Sequence, residues 1–433
     1  MRRNIVHAGA GNLSYEIREI VAVAREMRSL GLKITWENIG DPIEKGEQPP
    51  AWIRDIVADL ANDPKTWGYC DSAGVPETRQ FLAEQVNARG GVQVKSDDIL
   101  FFNGLGDAVA KVYGFLGREA RVLGPSPAYS THSSAEGAHS GYKHVTYELD
   151  PYNGWMPDLD DIRMKVKYND SIAGILLLSP DNPTGAVYPR PILEEIAEIA
   201  RQHDLFVIAD EIYAHIVYDG SSHLHLSEWI GDVPSIAMRG ISKEYPWPGS
   251  RCGWIEILNR QKDRNFADYT NSLVAAKRLE VSSTTLPQLS IPRVIGDDRY
   301  PGHLAMREAM FAARATEAMN AFADCPHVIV NKPGGAFYFT VMFKPGVLNN
   351  QQSLPVEDPK VRARLDQLLP GIAPDKRFVY YLMAATGIVV VPLTGFYCRH
   401  EGFRITMLEM NDEKRAWVFR TLRESIDRYI ASA

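Results

Sequence analysis

The sequence predicts an α/β protein: a large domain with a mostly parallel sheet between helices, and a smaller α+β domain built from both chain ends. Three observations predict it. Apolar runs such as ILLL at 175–178, FVIA at 206–209 and SIAM at 235–238 are unbroken rather than alternating, which is how strands covered on both faces read. Helical stretches separate several of them, and that alternation marks parallel βαβ units. After about residue 300 the texture changes to one long helical stretch, short strands and a final helix.

Each element has its own signal. Residues 14–30, SYEIREIVAVAREMRSL, carry apolar positions at helical spacing and stop at Gly31. An irregular segment, NIGDPIEKGEQPP, follows. PETRQFLAEQVNARG reads as a helix, with Pro76 in its first turn and Gly90 after its last. DILFFNG is a strand and GDAVAKVYGFLG a helix; ARVLGP and IAGILLLSP are strands. PILEEIAEIARQHD is a helix, and LFVIADE and SIAMRG are the next strands. Beyond 300, LAMREAMFAARATEAMNAFAD and DEKRAWVFRTLRESIDRYI are helices that bracket the strands GGAFYFTVMF, GIVVVPL and FRITML. The N-terminal helix is expected to pack with this second unit. The expected division is 1–55 for the N-terminal segment, 56–305 for the large domain and 306–433 for the small one. The stretch 345–376, rich in Pro, Asn and Gln, reads as an inserted loop over or beside a site.

Composition narrows the function. A formal net charge of −7 argues against a nucleic-acid surface or an anionic membrane as main partner. Cys70, Cys252, Cys325 and Cys398 form no CxxC pair and no disulfide framework, and no apolar leader follows Arg2 and Arg3, so a cytoplasmic protein is expected.

Ligands of an open parallel sheet bind at the carboxyl ends of its strands. Those ends carry Asn103-Gly104-Leu105-Gly106 opening a helix, Ser126-Pro127-Ala128-Tyr129, Asp181-Asn182-Pro183, Asp210-Glu211-Ile212-Tyr213 and Ile241-Ser242-Lys243. Helix-start amides suit a phosphate. An aromatic side chain suits a flat ring. A buried carboxylate suits a pyridine nitrogen, and a lysine suits an aldehyde. His223 and His225 in SSHLHL have the look of a metal pair on a strand, but the neighbouring sequence offers no third donor, so no metal is expected.

In order and spacing these motifs resemble the fold-type I pyridoxal-phosphate enzymes, and within them the class I/II, aspartate aminotransferase-like family, from Gly40 to Arg404. The resemblance implies a seven-stranded-type large-domain sheet, pyridoxal 5′-phosphate and an L-amino acid with a 2-oxo acid as substrates. It also implies a homodimer with shared active sites. Lys243 matches the lysine of the internal aldimine, which also moves the proton from Cα. Arg251 and Ser242 match the phosphate ligands, with Gly104, Leu105 and Gly106 as the phosphate turn. Asp210 matches the partner of the pyridine nitrogen, and Asn182 and Tyr213 those of the phenolic oxygen. Tyr129 matches the stacking ring. Tyr69, in YCDSAGVPETR, matches the tyrosine that reaches the neighbouring subunit's phosphate. Arg404 and Gly40 match the binders of the substrate α-carboxylate. Arg278 stands at a spacing similar to that of an arginine that takes a distal carboxylate from the partner subunit. PGGAFY and VVVPLTGF match two small-domain signatures.

Gly240 departs from the pattern, because a serine often stands there; a phosphate hydroxyl is therefore expected to be replaced elsewhere. The segment after Gly104 lacks the usual small hydroxyl or amide residue, which leaves the work to backbone amides. Transamination is the expected reaction. The same anchors serve C–S lyases and other carbanion chemistry, and a non-catalytic sensor domain is a remote alternative. Trp36, Trp247 and Tyr397 make a bulky apolar substrate as arguable as an acidic one.

Overall fold

The computed structural model describes residues 5–7, 9–13 and 16–433. Its larger sheet has eight strands: β1 (Ile99–Phe102), β2 (Arg121–Ser126), β3 (Thr146–Asp150), β4 (Met156–Pro157), β5 (Ile172–Leu178), β6 (Phe206–Asp210), β7 (Ser235–Gly240) and β8 (Gly253–Leu258). They lie in the order β1-β8-β7-β6-β5-β2-β3-β4. β8 runs antiparallel to both neighbours and β4 antiparallel to β3; the remaining pairs are parallel. The two-residue β4 is an edge hairpin, and the other seven strands form the sheet that the sequence implies. β7 and β8 are buried at every position, and β5 at all but Ala173, as their unbroken apolar runs demand.

The second sheet is antiparallel and holds Val328–Val330, Tyr338–Phe343, Gly402–Thr406 and Val391–Pro392 in that order. Thr35–Trp36 pairs in parallel with Ile388–Val389, which ties the N-terminal segment to this half. The helix Glu16–Ser29 packs there too, with Glu26 bridging Arg364 at 2.7 Å. Residues 14 and 15, where that helix was expected to begin, lie outside the described residues. The long helix Tyr300–Phe322 runs through residue 306, so the expected boundary falls inside one element. The change of texture near 300 is the start of that helix.

Two readings need correction. The stretch 345–376 is not a loop over the site. It contains the helix Pro359–Leu368, capped by Asp358, and packs against Pro374–Thr386. Asp358, Pro359 and Pro374 stand at helix starts, while residues 345–358 are irregular. The second concerns β8, which was passed over in GWIEIL. Because β8 is antiparallel, it begins at the same sheet edge where the parallel strands end, and it delivers a side chain there.

Candidate active site

The strand ends line one cleft of about 530 Å³. Gly40, Leu105, Gly106, Tyr129, Asn182, Asp210, Tyr213, Ser242, Lys243, Arg251 and Arg404 all line it. Gly104 sits at its edge as the residue before the helix Leu105–Gly114, with φ at 83°. A Cβ on Gly104 would lie 2.4 Å from Arg251 Nη2, so only glycine leaves the turn open to the guanidinium. Arg251 precedes β8 and reaches back across this edge, donating from Nη2 to the Asn103 carbonyl at 3.5 Å.

Lys243 lies in the one-turn helix Ile241–Glu244 that follows β7. Its Nζ donates to the Gly40 carbonyl at 2.5 Å, which joins the N-terminal segment to the large sheet. Burial holds the ammonium down to about 8, and the positive charges of Arg251, Arg307 and Arg404 act in the same direction. Gly240 is dictated by packing: a Cβ there would come within 3.0 Å of the Cys252 carbonyl. A serine here would require the Cys252–Gly253 backbone to give by a few tenths of an ångström.

Asp210 ends β6 and is 6 % exposed. His132 Nε2 stands 3.0 Å from its Oδ2, and the Ile212 amide donates to Oδ1 at 3.1 Å. Sequence reasoning missed His132. It stands three residues after Tyr129, and the signal was the helix Ser130–Ser140, which places it one turn below the ring.

Arg404 is fixed by sheet register. Thr340 pairs with Arg404 and Tyr338 with Thr406, so Tyr338 and Arg404 share a face of the small sheet. The guanidinium lies 4.5 Å from the Tyr338 ring centroid and 5.3 Å from that of Phe396. Its Nη1 donates to Asn182 Oδ1 at 3.2 Å, and its Nη2 to the Asn38 carbonyl. The Tyr213 and Tyr338 hydroxyls share a hydrogen bond of 2.9 Å, and burial raises the Tyr213 hydroxyl well above its ordinary value, so it stays a neutral donor. Tyr338 was quoted within PGGAFY without a role. A Cβ on Gly40 would sit 2.4 Å from its hydroxyl, so Gly40 and Tyr338 are shaped to each other.

Two expected residues stand apart from the cleft. Tyr69 is 85 % exposed, and Arg278, in the last turn of Arg264–Leu279, is exposed as well. Neither lines the cleft of its own chain, and both were expected to act across a subunit boundary. Of the three bulky neighbourhoods only Trp36 lines it; Tyr397 packs edge-on against His144 instead. Arg18, Arg25 and Arg28 of the helix Glu16–Ser29 line the mouth of the cleft and were not anticipated.

The donor set fits pyridoxal 5′-phosphate. Helix-start amides and Arg251 suit the phosphate, Asp210 held by His132 suits a ring nitrogen, and Lys243 suits the aldehyde. The family model for aminotransferase class I and II matches residues 38–420. The chain belongs to that family. As an aminotransferase it is 52 % identical over 430 residues to an uncharacterized aminotransferase of Methanocaldococcus jannaschii, covering 99 % of this chain and 100 % of the relative. It is 33 % identical to the glutamate–pyruvate aminotransferase AlaA of Escherichia coli strain K12, covering 76 % of this chain and 80 % of the relative. Among solved structures it resembles an alanine aminotransferase from Pyrococcus furiosus, with a TM-score of 0.83, 26 % identity, and coverage of 98 % of this chain and 100 % of the other. The enzyme is therefore a pyridoxal-phosphate-dependent transaminase, as the resemblance implied.

Proposed function

We propose that this aminotransferase exchanges the amino group between glutamate and pyruvate, with alanine and 2-oxoglutarate as the opposite pair. The observation that carries the reading is a cleft lined by arginines beyond Arg251 and Arg404, with Asp41 and Glu44 also present. Arg404 stands at its floor against Asn182, and Arg18, Arg25 and Arg28 stand at its mouth. A five-carbon dicarboxylate uses both groups, and a three-carbon monocarboxylate uses the first alone. The name of the Escherichia coli relative supports this pair, and that of the Pyrococcus neighbour supports alanine.

The residue roles follow. Arg404 binds the α-carboxylate through charge-assisted hydrogen bonds, with the Gly40 backbone beside it. Arg251, Ser242 and the Leu105 and Gly106 amides hold the phosphate. Asp210, oriented by His132, faces the ring nitrogen, Tyr129 faces the ring, and Asn182 and Tyr213 hold the phenolic oxygen. When bound, the cofactor supplies the electron sink that makes the substrate's Cα–H acidic. Lys243 Nζ takes that proton, because its depressed affinity for protons leaves an appreciable fraction neutral near pH 8. A cytoplasmic homodimer is part of the reading. Trp67, Tyr69, Leu279 and Val281 are exposed, and the two segments that carry them touch where Thr285 Oγ1 donates to the Gly68 carbonyl at 2.8 Å. An apolar surface of this kind suits a subunit interface.

Initial rates with pyruvate or 2-oxoglutarate as acceptor test the substrate pair across a panel of amino donors. Glutamate with pyruvate is expected to give the highest kcat/KM. An aromatic or aspartate donor ahead of glutamate refutes the assignment.

A further inference from the structure

Outside the cleft, the two histidines of SSHLHL meet a third donor that the linear sequence hides. Glu211 follows Asp210 at the end of β6, and strand alternation sends its side chain away from that of Asp210. Glu211 Oε2 lies 3.1 Å from His225 Nδ1, and Glu211 Oε1 lies 3.6 Å from His223 Nε2. The donor atoms of the three residues all fall within 4.8 Å of one another. The His223 side chain is 5 % exposed, and its Nε2 is buried with no hydrogen-bond partner. At 3.6 Å its approach to Glu211 is too long to be a hydrogen bond. A buried imidazole nitrogen held only by a 3.6 Å approach to a carboxylate is poorly satisfied, and an ion between the two would satisfy both.

We propose that Glu211, His223 and His225 form a binding site for a divalent transition-metal ion of the zinc class. Tetrahedral coordination with metal–ligand bonds of about 2.0–2.1 Å places neighbouring donor atoms roughly 3.3 Å apart. Glu211 turns one oxygen to each histidine, Oε2 at 3.1 Å from His225 and Oε1 at 3.6 Å from His223; with one donor atom from each residue the trio lies within 4.8 Å, so an ion would draw the donors together. Two imidazoles and one carboxylate select Zn²⁺, Co²⁺ or Ni²⁺ over the hard, all-oxygen Mg²⁺ and Ca²⁺. No other carboxylate, histidine or cysteine joins the group among the described residues, so the protein supplies three ligands.

Arg239 is the competing cation. Its Nη1 stands 3.3 Å from His225 Nδ1 and its Nη2 3.0 Å from His215 Nε2. Arg239 and Arg89 sit among the three carboxylates Glu211, Glu244 and Glu256, which leaves the cluster one negative charge in excess to favour a further cation. With the ion bound, Arg239 keeps His215 and its 4.0 Å approach to Glu256 and gives up His225. The ion would tie the end of β6, next to Asp210, to the segment that carries His223 and His225.

The test uses the holoenzyme, stripped with a chelator, dialysed against Co²⁺ and then against Zn²⁺. The expected result is one Co²⁺ per chain, with the visible absorbance of a tetrahedral site that Zn²⁺ abolishes. The variants His223→Ala and, independently, Glu211→Gln are expected to lose that stoichiometric binding while circular dichroism shows them folded. Glu211→Gln keeps the acceptor for the Leu226 amide, so it remains informative if His223→Ala fails to fold. No cobalt uptake by the wild-type holoenzyme overturns the proposal, and so does equal uptake by a folded variant.

Discussion

The reactivity of Lys243 can be measured without the cofactor. Burial and three neighbouring guanidinium groups bring its ammonium from 10.5 to about 8. At pH 7 an amine of pKa 10.5 is neutral in roughly 3 chains in 10,000, and one of pKa 8 in roughly 1 in 10, a gain of about 300-fold in nucleophile. The assay is competitive acylation of the cofactor-free enzyme from pH 6 to 11, with Lys243 and the exposed lysines quantified by mass spectrometry. Lys243 is expected to titrate near pH 8 and the exposed lysines near their ordinary value. Arg404→Leu removes one positive neighbour and is expected to move the Lys243 midpoint upward; Asp41→Asn, which removes a stabilising negative charge, should move it downward. The shift also bears on stability. The native state releases its proton near pH 8 and the unfolded chain near 10.5, so the unfolded state holds more protons in between. Stability of the cofactor-free protein therefore rises across that window, by about 3 kcal/mol from this group, and the rise is absent in Lys243→Met. A Lys243 midpoint indistinguishable from that of the surface lysines refutes the reasoning.

Other expectations follow from the same geometry. Arg404→Leu removes a charge-assisted carboxylate contact and should lower kcat/KM for alanine by about 30- to 150-fold, or 2–3 kcal/mol, with Arg404→Lys between it and wild type; steady-state kinetics checks this. Combined substitution of Arg18, Arg25 and Arg28 by glutamine should weaken glutamate and spare alanine, read as a change in the ratio of their kcat/KM values. Gly40→Ala pushes a methyl into the Tyr338 hydroxyl, and a large rise in KM with retained folding is expected. Tyr338→Phe leaves the Tyr213 hydroxyl without its 2.9 Å partner, at a cost of about 1 kcal/mol in denaturant unfolding.

Much of this was legible in the sequence, and the boundary of what was legible has physical causes. Parallel strands announce themselves through unbroken apolar runs, and their carboxyl ends deliver Tyr129, Asn182, Asp210 and Lys243 to one cleft. Local chain order alone therefore brings these four residues together. Residues that arrive by other routes were harder to place. Arg251 comes from the start of antiparallel β8, and only a motif match placed it. His132 lies behind Asp210 because a helix turn puts it there, and Tyr338 meets Tyr213 through the register of the small sheet. Glu211 joins His223 and His225 although eleven residues separate it from the first of them. The 345–376 stretch misled in part, because Asp358-Pro359 starts a helix after an irregular run over 345–358. Tyr69 and Arg278 are expected to act from a second copy of the chain, and neither lines the cleft of its own.

The most direct test of the transaminase account is the half-reaction. Purified holoenzyme is mixed with L-glutamate and no 2-oxo acid, and absorbance is followed for wild type and Lys243→Ala. The wild type is expected to convert the cofactor's visible band to the near-ultraviolet band of its aminated form with release of 2-oxoglutarate. Lys243→Ala should do so at least about a thousandfold more slowly. Ammonia release with the visible band unchanged, or conversion by Lys243→Ala at the wild-type rate, contradicts the account.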